Sequence, residues 1–217
     1  MSQFLIADDH PLFREALKGA LTKQFEPLEV LESDTFDTTL AVLDKHDDLD
    51  ILLLDLHMPG NGDLYGLIRI REDYPDLPIA VVSGSEDLQV VSKVMGYGAM
   101  GFIPKSSSAQ EIADAINEIL EGEVWLPADI KDKVEAISGE DKQLAAQVAS
   151  LTPQQYRVLS YLHEGLLNKQ IAYELNISEA TVKAHITAIF RKLGVYNRTQ
   201  AVLIASKLQL EAMESQQ

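Results

Sequence analysis

Ile51-Leu52-Leu53-Leu54-Asp55-Leu56-His57-Met58-Pro59-Gly60 is the stretch whose reading decides the fold. Four consecutive aliphatic residues, bounded by a Pro-Gly turn signal, describe a short strand buried on both faces, the kind that parallel sheets contain. Asp55 then stands at the carboxyl end of that strand, where open α/β sheets bind their ligands. Outward from it the same grammar repeats. Phe4-Leu5-Ile6-Ala7, Leu28-Glu29-Val30-Leu31, Ile79-Ala80-Val81-Val82 and Met100-Gly101-Phe102-Ile103 are the other strands. Amphipathic stretches follow each strand, from His10 to Leu21, Phe36 to Leu43, Leu64 to Tyr74, Leu88 to Met95 and Ala109 to Leu120. Five β/α pairs joined by right-handed crossovers predict a doubly wound, five-stranded parallel sheet over residues 1–121.

After Gly122 the period is lost, and residues 122–149 are expected to be a linker with some helix. Residues 150–217 carry no strand signal, only helical segments punctuated by Gly165, Asn176-Ile177-Ser178 and Gly194-Val195-Tyr196-Asn197, so a small all-α domain is expected there. Charge divides the chain in a parallel way. The net charge is -16, but residues 1–121 hold 8 Lys and Arg against 23 Asp and Glu, whereas residues 151–217 hold 7 against 5. An acidic front and a mildly basic rear suggest different partners for the two halves, and a nucleic-acid surface, if present, belongs to the rear. The chain has no cysteine, which excludes disulfides, thiolate metal sites and cysteine nucleophiles. No apolar run is long enough to span a bilayer, and Met1 to Leu5 lack the features of a signal peptide, so the expected location is the cytoplasm, away from any membrane.

The topology brings Asp8 and Asp9, after the first strand, to the same sheet edge as Asp55. Three clustered carboxylates call for a cation, and hard oxygen ligands suit Mg²⁺. Ser83 after the fourth strand and Lys105 past the fifth add a hydroxyl and an ammonium, a combination that gives each oxygen of a phosphoryl group a partner. Taken singly, each of these residues is as readily a solvated loop residue or a helix cap; only the joint placement points to chemistry.

Asp8-Asp9-His10-Pro11-Leu12-Phe13-Arg14, Leu54-Asp55-Leu56-His57-Met58-Pro59-Gly60 and Gly101-Phe102-Ile103-Pro104-Lys105-Ser106 resemble receiver domains of the NarL/FixJ family across the whole first domain. The resemblance implies a flavodoxin-like α/β receiver in which Asp55 takes a phosphoryl group from a sensor histidine kinase. It further implies that Asp9, Asp55 and the main-chain carbonyl of His57 ligate Mg²⁺, with Asp8 assisting through water. Ser83 and Lys105 would contact the phosphate, and Phe102, with Ser83, would report it as a switch. Two features depart from the family: His57 is not the commonest residue at its position, and the loop reads Gly60-Asn61-Gly62-Asp63 where receivers place an acidic or amide residue before a glycine.

In the second domain Thr152-Pro153-Gln154-Gln155 forms a capping box with proline at the first helical position, opening a helix through Val158, Leu159 and Leu162 that Gly165 ends. A short helix from about Lys169 to Leu175 and a longer one from Glu179 to Leu193, capped by Ser178, compose a helix-turn-helix. On the longer helix Val182, Ile186, Ile189 and Leu193 make the apolar stripe, leaving Lys183, Ala184, His185, Thr187 and Arg191 on the other faces. Asn168-Lys169-Gln170-Ile171-Ala172, Ile177 to His185 and Lys192-Leu193-Gly194-Val195-Tyr196-Asn197-Arg198 resemble the LuxR-type DNA-binding domain. That resemblance implies double-stranded DNA as partner, with Lys183, Ala184 and Thr187 facing bases, and Lys169, Thr181, Lys192 and Arg198 near phosphates. Leu167 stands where that family places a small hydroxyl cap, so Asn168 is the candidate replacement. The apolar run Ala201 to Ala205 with Leu208, together with the resemblance, points to a homodimer through the last helix.

The function so predicted is a DNA-binding response regulator, not an enzyme acting on an external substrate. Two alternatives stay open at this level: the same fold with a phosphate-insensitive receiver controlled by a partner or by dimerisation, and a phosphatase using Asp55 as nucleophile. The phosphatase chemistry wants a second acid two residues on, where His57 stands.

Overall fold

A computed structural model describes residues 1–61, 64–134 and 139–208. Within it the apolar runs become strands β1 (Ser2–Ala7), β2 (Leu28–Ser33), β3 (Ile51–Leu54), β4 (Ile79–Ser83) and β5 (Gly101–Pro104). They alternate with helices α1 (Pro11–Gln24), α2 (Phe36–Leu43), α3 (Leu64–Asp73), α4 (Leu88–Gly96) and α5 (Ala109–Leu120). The sheet is parallel throughout, in the order β2-β1-β3-β4-β5. Every residue of β3, β4 and β5 is buried, as continuous aliphatic runs require. Alternation along the strands sorts the core. Phe4, Ile6, Ile51, Leu53, Ala80, Val82 and Ile103 pack with Leu17 and Leu21 of α1 and Ile112, Ile116 and Ile119 of α5. On the opposite face the rings of Phe36 and Tyr65 meet edge to face, joining α2 to α3.

Register then places the chemistry. Ala7 pairs with Leu54, Leu54 with Val81, and Ser83 with Pro104, so the residues following β1, β3 and β5 emerge at one edge of the sheet. Main-chain bonds from Asp55 N to Ala7 O and from Lys105 N to Ser83 O, both 2.8 Å, extend the ladders past the strand ends and fix those positions.

The stretch expected to be aperiodic contains two helices, α6 (Ala128–Lys131) and α7 (Gly139–Ala149), and an addition to the sheet. Trp125 bridges Gly101 in parallel on the free edge of β5: its N–H donates to Met100 O, and Phe102 N–H donates to Trp125 O. Contacts divide the chain into two compact units, Met1–Lys142 and Gln143–Gln217, so the division falls inside α7.

The second unit is built from α8 (Pro153–His163), α9 (Asn168–Glu174), α10 (Glu179–Leu193) and α11 (Arg198–Leu208), around Val158, Leu159, Leu162, Ile171, Val182, Ile189, Leu193 and Ala201. Thr152 and Gln155 close the capping box of α8. Gly194 at φ 67° ends α10 in the left-handed conformation that glycine adopts without strain. At the start of α9 the structure corrects one expectation: Asn168 is the first helical residue and Leu167 occupies the cap position. An apolar side chain cannot cap, so only Gln170 contributes, accepting the Leu167 N–H at 2.7 Å. Ser178 does cap α10, its hydroxyl accepting the Thr181 N–H at 3.0 Å. Ser178→Ala is expected to lower the stability of this unit by about 1 kcal/mol, with Ser178→Thr close to wild type, read by urea unfolding. The last residues of the chain, 209–217, and Gly62, Asp63 and 135–138 lie outside the described residues, so the inverted loop is seen only as far as Asn61. No helix among the described residues is long and apolar enough to cross a membrane.

Candidate functional site

Asp8 is buried where β1 ends, Asp9 is partly exposed beside it, and Asp55 is buried where β3 ends. One ligand atom from each of Asp8, Asp9, His10 and Asp55 lies within 4.8 Å of the others. Lys105, delivered by β5, reaches back over this group. Its Nζ donates to Asp55 Oδ2 at 2.8 Å and lies 2.7 Å from Asp8 Oδ2. The second contact is an ion pair rather than a well-aligned hydrogen bond, because Asp8 Oδ2 accepts no bond of good geometry. Burial lowers the Lys105 pKa, but the contacts to Asp55 and Asp8 outweigh it and hold the ammonium above its ordinary value. The ammonium also lies over the Phe13 ring, with Nζ 5.0 Å from the centroid.

Asp55 has a defined role for each oxygen: Oδ2 takes Lys105, and Oδ1 accepts the His57 N–H at 3.2 Å. Asp8 Oδ1 accepts the His10 N–H at 2.7 Å, while Arg14 donates to the Asp8 carbonyl. Asp9 Oδ1 is a buried carboxylate oxygen without a hydrogen bond, 2.7 Å from the His10 ring nitrogen. Asp8 Oδ2 and Asp9 Oδ1 are buried carboxylate oxygens that accept no hydrogen bond, and hard oxygen ligands of this kind suit a divalent ion, so the donor set fits Mg²⁺.

Ser83 is fully buried at the end of β4, its Oγ accepting the Ser85 N–H at 3.2 Å. The His57 side chain stands half-exposed, Nδ1 3.9 Å from Asp55 Oδ1. Phe102 is fully buried in β5, tied through its N–H to Trp125. An open cleft of about 440 Å³, lined by His10, Leu12, Phe13, Asp55, Gly84 and Lys105, leads to the carboxylates and has room for a phosphoryl group. Three contributors had no assigned role at the level of sequence: His10, Phe13 and Asn61. The signal for His10 was its place directly after two aspartates; Phe13 was indistinguishable from a core aromatic.

In the second unit α10 presents Thr181, Lys183, Ala184 and Thr187 at the surface, and Lys169 is exposed near the start of α9. Lys183 pairs loosely with Glu179 across one helical turn, at 3.5 Å. The hydroxyls of Thr181 and Thr187 are engaged locally, with Ser178 Oγ at 2.7 Å and with Lys183 O at 3.0 Å. Lys192 and Arg198 serve the fold: Lys192 Nζ donates to Ser150 O and Gln155 Oε1, and Arg198 Nη2 donates to Leu166 O at 2.6 Å. On α11, Leu203 is the large apolar side chain left exposed among the described residues, at 61%.

Residues 4–117 match the family model for the response regulator receiver domain, and residues 149–205 match that for bacterial regulatory proteins of the luxR family. The chain is 46% identical over 217 residues to a glycerol metabolism activator of Pseudomonas putida, covering 98% of each chain. It is 34% identical over 202 residues to a nitrate/nitrite response regulator protein homolog of Haemophilus influenzae, covering 92% of this chain and 94% of that one. Among solved structures it is similar to the RcsB response regulator of Salmonella typhimurium, at 28% identity and a TM-score of 0.56, over 95% of this chain and 98% of the other. It is also similar to RcsB of Salmonella enterica serovar Typhimurium bound to promoter rprA in the presence of phosphomimetic BeF₃⁻. That likeness has 26% identity and a TM-score of 0.55, over 96% of this chain and 100% of that one.

Proposed function

Because this chain belongs to the response regulators that join a receiver domain to a LuxR-type DNA-binding domain, we propose that phosphorylation of Asp55 by a sensor histidine kinase switches its grip on promoter DNA. As a member of that family it is a DNA-binding regulator of transcription in a two-component system. The observation that carries the finer reading is the convergence of Lys105 and three carboxylates on one solvent-open sheet edge. In the proposed transfer an Asp55 carboxylate oxygen attacks phosphorus, an O–P bond forms, and the bond to the donor histidine breaks, leaving the pair of electrons on the imidazole. Asp8, Asp9, Asp55 and the His57 carbonyl would hold Mg²⁺, which when bound neutralises charge on the phosphoryl oxygens. Lys105, already fixed beside Asp55, pairs with one of those oxygens, and the Ser83 hydroxyl donates to another. Phe102 next to them in β5 is the proposed reporter of occupancy. The chemistry is a single modification of the chain itself, and the cytoplasm, where kinase and promoter meet, is the proposed location.

On the DNA side, Lys183, Ala184 and Thr187 are proposed to read bases in the major groove, while Lys169 and Thr181 set the register on phosphates. Lys192 and Arg198 are proposed to act near phosphates while bracing the ends of α8. Two copies would meet paired half-sites through α11, a reading supported by exposed Leu203. The test is gel-shift titration on an operator selected from random duplexes, with and without acetyl phosphate. Phosphorylation is expected to tighten binding. Lys183→Ala is expected to weaken operator binding roughly 10-fold and relax sequence preference. Lys169→Ala should weaken operator and random DNA alike and reduce the salt slope by about 1. Equal binding with and without phosphorylation would favour control by a partner instead.

A further inference from the structure

We propose that Asn61 is a positioning residue for the phosphoacceptor: its buried amide orients the peptide unit whose N–H supports Asp55, and the missing side chain of Gly66 makes room for it. Asn61 is fully buried in the loop after β3. Its Nδ2 lies 3.0 Å from Asp55 O and 2.7 Å from Leu56 O, and two carbonyl acceptors demand the donor end of the amide, with both hydrogens used. The Leu56 carbonyl and the His57 N–H are opposite ends of one planar peptide unit. That N–H donates to Asp55 Oδ1 at 3.2 Å, so gripping the carbonyl end sets the direction of the donor end. The next carbonyl along, that of His57, is the main-chain ligand in the metal site proposed above.

Gly66 is the other half of the device. A Cβ at this position would lie 1.5 Å from Asn61 Oδ1 and 2.6 Å from Cγ, so any side chain here evicts the amide. The backbones of the two residues are joined as well, Gly66 N–H donating to Asn61 O at 2.9 Å. Asn61 Oδ1 is buried without a hydrogen-bond partner among the described residues, and a buried acceptor left unsatisfied is destabilising. An apolar residue of similar size would relieve that acceptor but leave the buried carbonyls of Asp55 and Leu56 without the donor that Nδ2 supplies, so the weight of the residue lies in what Nδ2 holds.

This role rests on reading the pocket as an Mg²⁺-dependent phosphoacceptor site. The test is calorimetric titration of Mg²⁺ into the full unphosphorylated chain, with thermal melts of each protein in chelator. Asn61→Leu is expected to bind Mg²⁺ roughly 10-fold more weakly while melting cooperatively, below the wild-type temperature because two buried carbonyls lose their donor, and Gly66→Ala to lose affinity by a similar factor. Asn61→Ala combined with Gly66→Ala should bind no more weakly than Asn61→Ala alone, since the added methyl group then has no amide to evict and meets only the edge of Phe36, at 3.2 Å. If Asn61→Leu does not melt cooperatively, Asn61→Ser, which keeps one donor, decides the matter: intermediate affinity is expected, and wild-type affinity overturns the role. Unchanged Mg²⁺ affinity in a folded Asn61→Leu overturns it directly, with the pocket reading intact. Failure of the wild type itself to bind Mg²⁺ overturns the pocket reading and this role together.

Discussion

Incubated with Mg²⁺ and acetyl phosphate, the wild-type chain is expected to gain one phosphoryl group by intact mass, and Asp55→Ala is expected to gain none. Three carboxylates share the pocket, so the choice among them needs an argument. Asp8 also has one oxygen on a main-chain N–H, that of His10, and the other facing Lys105, but it does not line the cleft. Asp9 is the most open of the three, but no lysine pairs with it among the ion pairs described; its neighbour is His10. Asp55 alone combines a supported oxygen, through the His57 N–H, with a lysine aimed at its other oxygen and a place in the wall of the cleft. Nucleophile, charge partner and access meet there, which is the arrangement that phosphoryl transfer requires. Asp55→Asn, which keeps shape and removes the nucleophile, should behave as Asp55→Ala does. A phosphoryl group appearing on either variant would move the acceptor to Asp9 or Asp8. Sustained release of phosphate from a phosphomonoester would instead revive the phosphatase alternative, in which Asp55 turns over.

The strands were legible because each rests on a local property, an apolar run ended by a turn residue, and β3, β4 and β5 are buried at every position. Their shared edge was legible too, since parallel strands joined by helical crossovers all end at the same edge of the sheet whatever their order. What could not be read depends on pairing between distant residues. Trp125 joins the sheet by a one-residue bridge to Gly101, and a single residue has no period to detect. Asn61 looked like a turn residue in an unusual order; its buried role becomes visible only with Gly66 above it. Lys192 and Arg198 illustrate the limit for long flexible cations. Sequence similarity places their Cα atoms, but the ammonium and guanidinium go to main-chain carbonyls at the ends of α8 that no local pattern announces. The pocket was therefore clearer in sequence than the DNA-binding face. Its residues are short carboxylates fixed by strand ends, whereas those of α10 and its neighbours are surface side chains with several partners in reach.

Lys105→Met is expected to cost the receiver unit about 3–5 kcal/mol in chelator, and Mg²⁺ should restore much of that loss. Lys105 is the lysine that compensates two carboxylates of 1% and 2% side-chain exposure, and removing it leaves like charges facing each other in a poorly solvated pocket. Lys105 itself is 19% exposed and the cleft is open, so the lower end of the range is the better guide. A divalent cation bound by the same carboxylates replaces the missing charge, so Mg²⁺ should raise the urea midpoint more in Lys105→Met than in the wild type. The pH dependence has a definite sign. Because the folded state holds the Lys105 proton more tightly than the unfolded chain, its contribution is fully present below the ordinary lysine value of 10.5. It is lost as pH rises through the higher folded value, and the stabilities of wild type and variant should converge there. Phosphoryl uptake from acetyl phosphate should meanwhile fall about 100-fold or more, since Mg²⁺ replaces the charge but not the donor aimed at the transferred oxygens. A variant as stable as the wild type in chelator, with an unchanged response to Mg²⁺, would mean that the carboxylates do not share their charge with Lys105. The side chain then left in contact with all three carboxylates is His10, whose Nδ1 lies within 4 Å of each.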